Sequence, residues 1–336
     1  MRSGQKKSEK DVINLEKNNM EPIIKPIDSN IIKSELTQDR FIRDTRKGGN
    51  ELYEVDYFSA PNTMREIGRL REIAFRMGGG GTGKGCDIDE FDTDPKFPYK
   101  QLIVWDPENE EILGGYRYIL CTGIQPEKLA TTEIFRFSDQ FVNEYFPFTI
   151  ELGRSFVQPN YQSSNARRKS LYALDNLWDG LGALICKYPN IKYFFGKMTM
   201  YTTYDKRARN MLMHFLHKFF EDKEQLVIPV NELDYDADNK YYIDLFKDKE
   251  YLEAYKILSH EIRNLGENIP PLVNSYMNLS PSMKVFGTAV NDFFGGVEET
   301  GILININDIY PEKKDRHITP IKESIQHLKT KKWWKK

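Results

Sequence analysis

Apolar residues recur along the chain at two spacings, which predict helices alternating with strands. From Pro61, a residue type favoured in the first helical turn, one stripe at helical spacing comprises Met64, Ile67, Leu70, Ile73, Ala74 and Met77. Further helices are predicted over residues 165–187, 205–220 and roughly 248–265, and a short helix is expected to begin near Ile269.

Short apolar runs bounded by turn residues predict the strands. Residues 101–105 and 111–120 flank a polar turn that contains Pro107, which indicates a hairpin. Four further runs are predicted strands: 146–159, 192–200, 285–290 and 299–308. This order of elements predicts an α/β (α+β) fold around one mixed sheet.

Composition and charge narrow the classes of function. The 336 residues suggest two domains or one large α/β domain with extensions. Lys and Arg number 48 against 50 Asp and Glu, so a net charge of −2 does not favour nucleic acid as the partner.

No apolar run approaches the roughly 18 residues of a membrane-spanning helix, and the N-terminus lacks the apolar core of a secretory signal. Three scattered cysteines give no disulfide or zinc pattern, so we expect a cytoplasmic protein without a metal site.

Two segments after the first helix are candidates for function. The glycine run 78–85 departs from a phosphate-binding loop, because Gly85 stands where Ser or Thr is required. We interpret it as a loop that closes over a substrate, with a plain flexible connection as the alternative. Residues 87–94 hold five carboxylates. They form either a solvated acidic turn or a set that binds a cationic amine or a basic residue of a partner.

Charged residues inside apolar strands indicate a second candidate site. Arg117 lies in GGYRYIL, and Glu151 and Arg154 lie in TIELGRSFV. A period of two puts Glu151 and Arg154 on opposite faces of a strand, but a bulge at Gly153 would bring both toward one cleft. Because buried charges need partners, these residues form either an ion pair that joins two strands or a buried site.

Together these segments resemble a known family. The ordered set RLREIAF, DIDEFDTD, LGGYRYIL and ELGRSFVQPNYQ is similar to the acyl-carrier-protein-dependent N-acyltransferases, related to the GNAT superfamily, that acylate ornithine or glycine in aminolipid biosynthesis and are sometimes called hemolysin-like. Acyl-homoserine-lactone synthases are more distant relatives. The resemblance covers roughly residues 55–310. It implies a GNAT-like mixed central sheet flanked by helices, with the acyl-pantetheine arm in a V-shaped gap between two central strands.

The chain is therefore predicted to have three parts. Residues 1–48 are expected to be a polar, mobile N-terminal arm with at most one short ordered segment, and residues 49–312 the GNAT-like domain, which ends in a helical and strand extension. Residues 313–336 are a basic tail whose last eight residues join five Lys to two Trp. This composition favours anionic membrane surfaces, so the tail is expected either to attach the protein to the inner face of the membrane or to fray in solution.

The resemblance also implies roles for particular residues. Glu151, Arg154 and Arg117 are expected to be catalytic, and Asp89 and Asp92 to bind substrate. Glu151 is the expected base that deprotonates the attacking amine, if burial raises its pKa. Backbone N–H groups freed by the bulge are expected to stabilise the negative charge that develops on the thioester oxygen. Either arginine would suit the carboxylate of the amino acid.

The acyl donor needs an apolar channel and a docking surface. Five aromatic residues are candidate channel liners or ordinary core residues: Phe75, Phe156, Trp178, Phe194 and Phe195. The pantetheine phosphate is expected at a helix N-terminus that begins after Tyr161. Four residues there are candidates for binding the pantetheine and its acidic carrier protein: Gln162, Arg167, Arg168 and Lys169.

The resemblance leaves more than one function open. Glycine is the favoured acceptor and ornithine the next, with acyl-carrier protein as donor through its phosphopantetheine arm and no other cofactor. The alternatives are a homoserine-lactone-type synthase and a non-catalytic lipid- or carrier-binding module at the membrane surface.

Overall fold

An eight-stranded sheet organises the chain in a computed structural model that describes residues 20–161 and 170–320. In chain order the helices and strands are α1 (Ser29–Glu35), β1 (Phe41–Asp44), β2 (Glu51–Val55), α2 (Pro61–Gly78), β3 (Lys100–Asp106), β4 (Glu111–Leu120), β5 (Phe135–Phe137), β6 (Thr149–Val157), α3 (Ser170–Lys187), β7 (Tyr193–Met200), α4 (Lys206–Phe220), β8 (Val227–Pro229), α5 (Lys240–Phe246), α6 (Tyr251–Asn264), α7 (Pro271–Met277), β9 (Lys284–Asn291), β10 (Val297–Asn305) and α8 (Pro311–His317).

The sheet is mixed, as the sequence predicts. Its strand order is β1-β2-β3-β4-β6-β7-β10-β9, and every neighbouring pair is antiparallel except β6 and β7, which are parallel. Strands β5 and β8 form a separate two-stranded sheet. The α/β fold class is confirmed, and the single parallel pair of the large sheet lies at its centre.

Helices cover both faces of the large sheet. On one face, here called the α2 face, helices α1 and α2 pack on the strands through Ile32, Met64 and Ile67. On the other, the α3 face, helices α3 to α7 enclose the larger core together with residues such as Leu102 and Tyr116. Within residues 20–161 and 170–320, no helix combines the length and apolar character that crossing a bilayer requires.

Local signals fix the predicted ends of α2 and α4. Gly79 has a φ of +98°, in the left-handed region that glycine favours, and its N–H donates to the carbonyl of Arg76 at 3.1 Å. Asp205 caps α4, because its carboxylate accepts from the backbone N–H groups of Arg207 and Ala208. Both helix ends agree with the sequence pattern.

Residues 20–48, which the sequence analysis assigned to the N-terminal arm, contain an ordered helix and an ordered strand. Helix α1 buries Ile32, and β1 pairs with β2 at the edge of the sheet. The physical reason is a missing cap on α2, since Ala60 offers no side-chain acceptor. The Glu35 carboxylate supplies one, accepting from the backbone N–H groups of Asn62 at 3.1 Å and Thr63 at 2.7 Å.

The glycine run is hydrogen-bonded on both sides, and its closure over a substrate stays a prediction. Glu72 is fully buried and accepts from the backbone N–H groups of Thr82 at 3.0 Å and Gly83 at 2.8 Å. Backbone hydrogen bonds from Glu21 to the Gly83 carbonyl and from Ile24 to the Gly85 carbonyl hold the other side. A buried carboxylate with several donors fixes this backbone firmly.

The C-terminal part begins with an ordered helix. His317 of α8 is 8% exposed, and its Nδ1 lies 2.9 Å from the Asp179 carboxylate of α3. The remaining residues of the predicted basic tail, 321–336, lie outside the described residues. Attachment of the tail to a membrane therefore stays a prediction.

Candidate active site

The central parallel strands part after three residue pairs and leave a gap. Strands β6 and β7 pair from Thr149 opposite Tyr193 to Glu151 opposite Phe195, although β6 continues to Val157 and β7 to Met200. The gap opens into a cavity of about 1090 Å³, including the space at its mouth. This is the V-shaped gap that the resemblance implies.

A bulge in β6 turns Arg154 toward the same face as Glu151. Gly153 pairs with Arg117 and Phe156 with Gly115, so Arg154 and Ser155 together oppose Tyr116 alone. Arg154 has a φ of +49°, in the left-handed region that a residue with a Cβ seldom adopts. The bulge therefore interrupts the alternation of side chains, as predicted, and takes two residues out of the ladder.

Glu151 is a buried carboxylate at the point where the strands part. Its side chain lines the cavity, and the residue is 2% exposed. It accepts hydrogen bonds from the Tyr99 hydroxyl, the Thr131 hydroxyl and, at 3.0 Å, the Thr131 backbone N–H. Burial raises the pKa of Glu151 to about 7, although these donors and the nearby cations oppose the rise. A carboxyl with this pKa suits proton transfer at neutral pH.

Arg117 holds the acidic loop against the sheet. Its Nη1 lies 2.8 and 2.7 Å from the two carboxylate oxygens of Asp89 and 3.3 Å from Oδ2 of Asp92. Its guanidinium also lies over the ring of Tyr99, 4.9 Å from the centroid. Burial alone would raise the pKa of Asp89, but Arg117 and Arg154 outweigh it and hold that pKa well below its usual value. Asp87, Asp89 and Asp92 are thus paired and at least half-buried, whereas Glu90 of the same loop is exposed.

Arg154 is the more accessible of these two guanidinium groups. Its Nε lies 3.0 Å from Oδ2 of Asp87, and its Nη2 lies 3.6 Å from Oδ2 of Asp89. The guanidinium stacks on Phe294, 4.2 Å from the ring centroid. Its side chain is 15% exposed, against 4% for Arg117, and it lines the cavity. Arg154 can therefore contact a ligand while its partners hold it in place.

Arg71 completes the cluster, although the sequence analysis did not name it as a site residue. It is fully buried on α2, with Nη1 3.1 Å from Oδ2 of Asp92, and it also donates to the Gln101 side chain. Gln101 in turn donates to Oδ1 of Asp92 at 2.9 Å. Asp92 is fully buried, and neither Asp92 nor Asp89 lines the cavity, so their contact with substrate stays a prediction. Two arginines and an amide contact the Asp92 carboxylate.

The sequence analysis also missed an ion pair on the β7 side of the gap. Lys197 of β7 lies 2.9 Å from Oε2 of Glu299 on β10, and both residues line the cavity. Burial would raise the pKa of Glu299, but Lys197 and Asn291 outweigh it and lower that pKa. The available signal was a lysine in the middle of the apolar run KYFFGKMTM.

The cavity has a polar end on the α2 face and an apolar end on the α3 face. The polar end holds Glu151, Arg117 and Arg154, which the sequence analysis singled out, and it brings them together. The apolar end is lined by Leu152, Leu177, Trp178, Leu181, Phe194, Leu272, Ile302 and Ile304.

Four of the five predicted channel aromatics line the cavity: Phe75, Trp178, Phe194 and Phe195. Phe156 does not, because the bulge turns it into the core beneath α2.

Some predicted contacts lie outside the described residues. Gln162, Arg167, Arg168 and Lys169 fall between residues 161 and 170, so their role in carrier binding stays a prediction. Among the residues that the structure describes, no group of three His, Cys, Asp or Glu side chains is arranged to hold a metal ion.

Comparison with known proteins gives close relatives. Residues 70–170 match the family model of the acetyltransferase (GNAT) domain. Glycine N(alpha)-acyltransferase of Bacteroides thetaiotaomicron is 56% identical over 310 residues, which cover 91% of this chain and 92% of that protein. Glycine N(alpha)-acyltransferase of Phocaeicola vulgatus is 56% identical over 304 residues, which cover 89% and 93% respectively.

Solved structures give weaker matches. The CoA-dependent acyl-homoserine lactone synthase MesI aligns with a TM-score of 0.34 and 11% identity, over 79% of this chain and 92% of that one. The acyl-homoserine lactone synthase LasI aligns with a TM-score of 0.30 and 16% identity, over 45% and 71%.

Replacing Glu151 by Gln tests its buried ionisation. The carboxyl has its ordinary pKa, 4.5, in the unfolded chain and about 7 in the fold. The protonated form therefore stabilises the fold, and this stabilisation is lost as the pH rises from about 4.5 through 7. Because Gln cannot ionise, the free energy of unfolding of Glu151→Gln relative to the wild type should rise by about 2 kcal/mol between pH 5 and pH 8.

Urea denaturation at constant ionic strength measures this difference. Glu253→Gln is the matched control, since Glu253 is 55% exposed in a surface pair with Lys249, and its difference from the wild type should stay flat with pH. An equally flat difference for Glu151→Gln would contradict the raised pKa.

Proposed function

This chain belongs to the family of its glycine N(alpha)-acyltransferase relatives and is an acyltransferase, and on that premise we propose that it transfers a fatty acyl group, with or without a 3-hydroxyl, from acyl-carrier protein to the amine of glycine. The observation that carries this proposal is Glu151, a buried carboxyl with a pKa of about 7 at the opening between β6 and β7. The product would be an N-acyl amino acid for aminolipid synthesis.

The reaction needs a base, because the amine of glycine is mostly protonated at neutral pH. Glu151 takes one proton from the ammonium group, directly or through a water molecule. The freed amine attacks the thioester carbon and forms a tetrahedral intermediate. Collapse of this intermediate breaks the carbon–sulfur bond and makes the amide, while the second proton of the attacking nitrogen passes to the pantetheine thiolate, which leaves as the thiol. Glu151 then releases the first proton to solvent. No covalent intermediate with the enzyme is required.

The bulge supports stabilisation of the intermediate. Arg154 and Ser155 stand outside the β4–β6 ladder, so their N–H groups are the proposed donors to the thioester oxygen as it becomes negative. Oriented backbone donors of this kind are effective because they need little reorganisation during the reaction.

Arg154 is the proposed partner of the glycine carboxylate. It lines the cavity and is the more exposed arginine, whereas Nη1 of Arg117 already contacts both Asp89 and Asp92. A guanidinium suits a carboxylate because it can donate two parallel hydrogen bonds. Arg117 is accordingly a positioning residue that holds the acidic loop.

The charge balance of the cluster supports glycine over ornithine. Ornithine carries a second ammonium group, which would need an unpaired carboxylate. Asp87, Asp89 and Asp92 each contact a guanidinium group within the described cluster. Glycine has no side chain and makes no such demand.

The place of the reaction in the cell is part of the same proposal. We expect the enzyme to work in the cytoplasm, with acyl-carrier protein docking at Gln162 and the basic run Arg167, Arg168 and Lys169. The Lys- and Trp-rich residues 329–336 would hold it at the inner face of the membrane, where the acyl product partitions.

Incubation of the purified enzyme with 3-hydroxyacyl-carrier protein and a panel of amino acids tests the function. We expect mass spectrometry to detect N-acyl glycine as the main product and much less N-acyl ornithine. S-adenosylmethionine belongs in the panel, because acylation of it alone would favour a homoserine-lactone-type synthase. If a folded enzyme acylates no amino acid in the panel, the proposed function is wrong.

Arg154→Lys tests the carboxylate contact. Lysine keeps the positive charge but loses the planar fork, so we expect the KM for glycine to rise about tenfold or more, while the KM for the acyl donor changes less than about twofold. Arg209→Lys is the matched control, because Arg209 pairs with Glu298 at 2.7 Å and does not line the cavity. Equal effects of the two substitutions on the KM for glycine would show that Arg154 does not bind the glycine carboxylate.

A further inference from the structure

A hydroxyl group without a partner stands at the apolar end of the cavity. Tyr116 of β4 is 5% exposed, and its hydroxyl oxygen is buried without a hydrogen-bond partner. Among the described side chains with such unpartnered atoms, Tyr116 and Arg154 are the ones that line the cavity. The unpartnered Nε of Arg154 still lies 3.0 Å from the Asp87 carboxylate. The Tyr116 hydroxyl has no comparable ionic neighbour.

The surroundings of this hydroxyl are those of an acyl channel. Tyr116 belongs to the core on the α3 face, where Leu177 and Leu181 of α3 line the same cavity. Gly180 lies directly against the hydroxyl, since a Cβ at that position would stand 2.8 Å from the oxygen. Burial raises the pKa of Tyr116 well above its usual value, and nearby Tyr276 adds to the rise. The hydroxyl therefore stays protonated and can donate a hydrogen bond.

Tyr116 also lies close to the proposed position of the thioester carbonyl. It is the β4 residue opposite the bulge at Arg154 and Ser155, where the thioester carbonyl is proposed to bind. Its side chain belongs to the α3 core, whereas Arg117, the next residue, points to the acidic loop on the α2 face. An acyl chain with its carbonyl at the bulge and its tail on the α3 face would therefore pass this side chain close to the thioester.

We propose that the Tyr116 hydroxyl binds a hydroxyl group on the acyl chain, close to the thioester, and thereby makes the enzyme selective for 3-hydroxyacyl donors. The inference rests on the proposed function and assigns its donor selectivity to one residue. A buried donor without a partner is unfavourable, and a hydroxyl on the ligand satisfies it, whereas an unsubstituted chain leaves it unpaired. Sites built to bond a substrate hydroxyl discriminate strongly against analogues that lack it.

The test compares two acyl-carrier-protein donors of equal chain length, one 3-hydroxylated and one unsubstituted, with saturating glycine. We expect the wild type to prefer the hydroxylated donor by about tenfold or more in kcat/KM. Tyr116→Phe removes only the unpartnered oxygen, so the fold should persist. The variant should lose most of this preference, through a lower kcat/KM for the hydroxylated donor and an equal or higher value for the unsubstituted one.

Tyr118→Phe is the matched control on the same strand. The Tyr118 hydroxyl donates to Glu54 and Tyr118 does not line the cavity, so its removal should leave the donor preference unchanged. A wild type that uses both donors equally, or a Tyr116→Phe variant that keeps the preference, would overturn this inference while leaving the acyltransferase function in place. Acylation of glycine by neither donor would instead overturn the proposed function, and the selectivity with it.

Discussion

The site depends on the early end of hydrogen bonding between β6 and β7. Only three residue pairs join these strands, from Thr149 opposite Tyr193 to Glu151 opposite Phe195, at the centre of an otherwise continuous sheet. Unpaired backbone groups inside a protein are unfavourable, so such an opening persists only where neighbouring structure or a ligand satisfies them. Here β4 and β10 pair with the outer edges of the two strands, so the sheet continues on both sides of the gap.

The opening separates two environments that the proposed reaction needs side by side. On the α2 face, Arg71, Arg117 and Arg154 balance Asp87, Asp89 and Asp92 in a buried cluster beside Glu151. Buried charges are tolerated there because each contacts an opposite charge. These contacts also orient Arg154, the more exposed of the two arginines that line the cavity. On the α3 face the lining is apolar, which suits a fatty chain. The bulge at Arg154 stands at the boundary, so the reacting carbonyl, the base and the chain would meet at one level of the sheet.

Local patterns predicted the elements and part of the site. The stripe of α2, the hairpin of β3 and β4, and the bulge that brings Glu151 and Arg154 together all follow from spacing and turn chemistry within short segments. The contacts that the sequence did not reveal join distant segments. Glu35, which caps α2, lies 28 residues before Thr63 in the sequence. Lys197 of β7 pairs with Glu299 of the neighbouring strand β10, about 100 residues later in the chain. Arg71 lies on the buried side of its helix, and the helical pattern alone does not show whether a charged residue there belongs to a site. The glycine-rich segment 78–85 is a second example. Its sequence shows no pattern that predicts a fixed conformation, but the buried Glu72 carboxylate accepts hydrogen bonds from its backbone.

A crystal structure of the enzyme with a non-reactive thioether analogue of 3-hydroxyacyl-pantetheine tests the central claim most directly. The analogue should pass through the sheet between β6 and β7, with its carbonyl equivalent beside Arg154 and Ser155 and its chain among Leu177, Trp178 and Leu181 on the α3 face. Electron density for the chain along the outside of the sheet, with the space between the two strands empty, would contradict it.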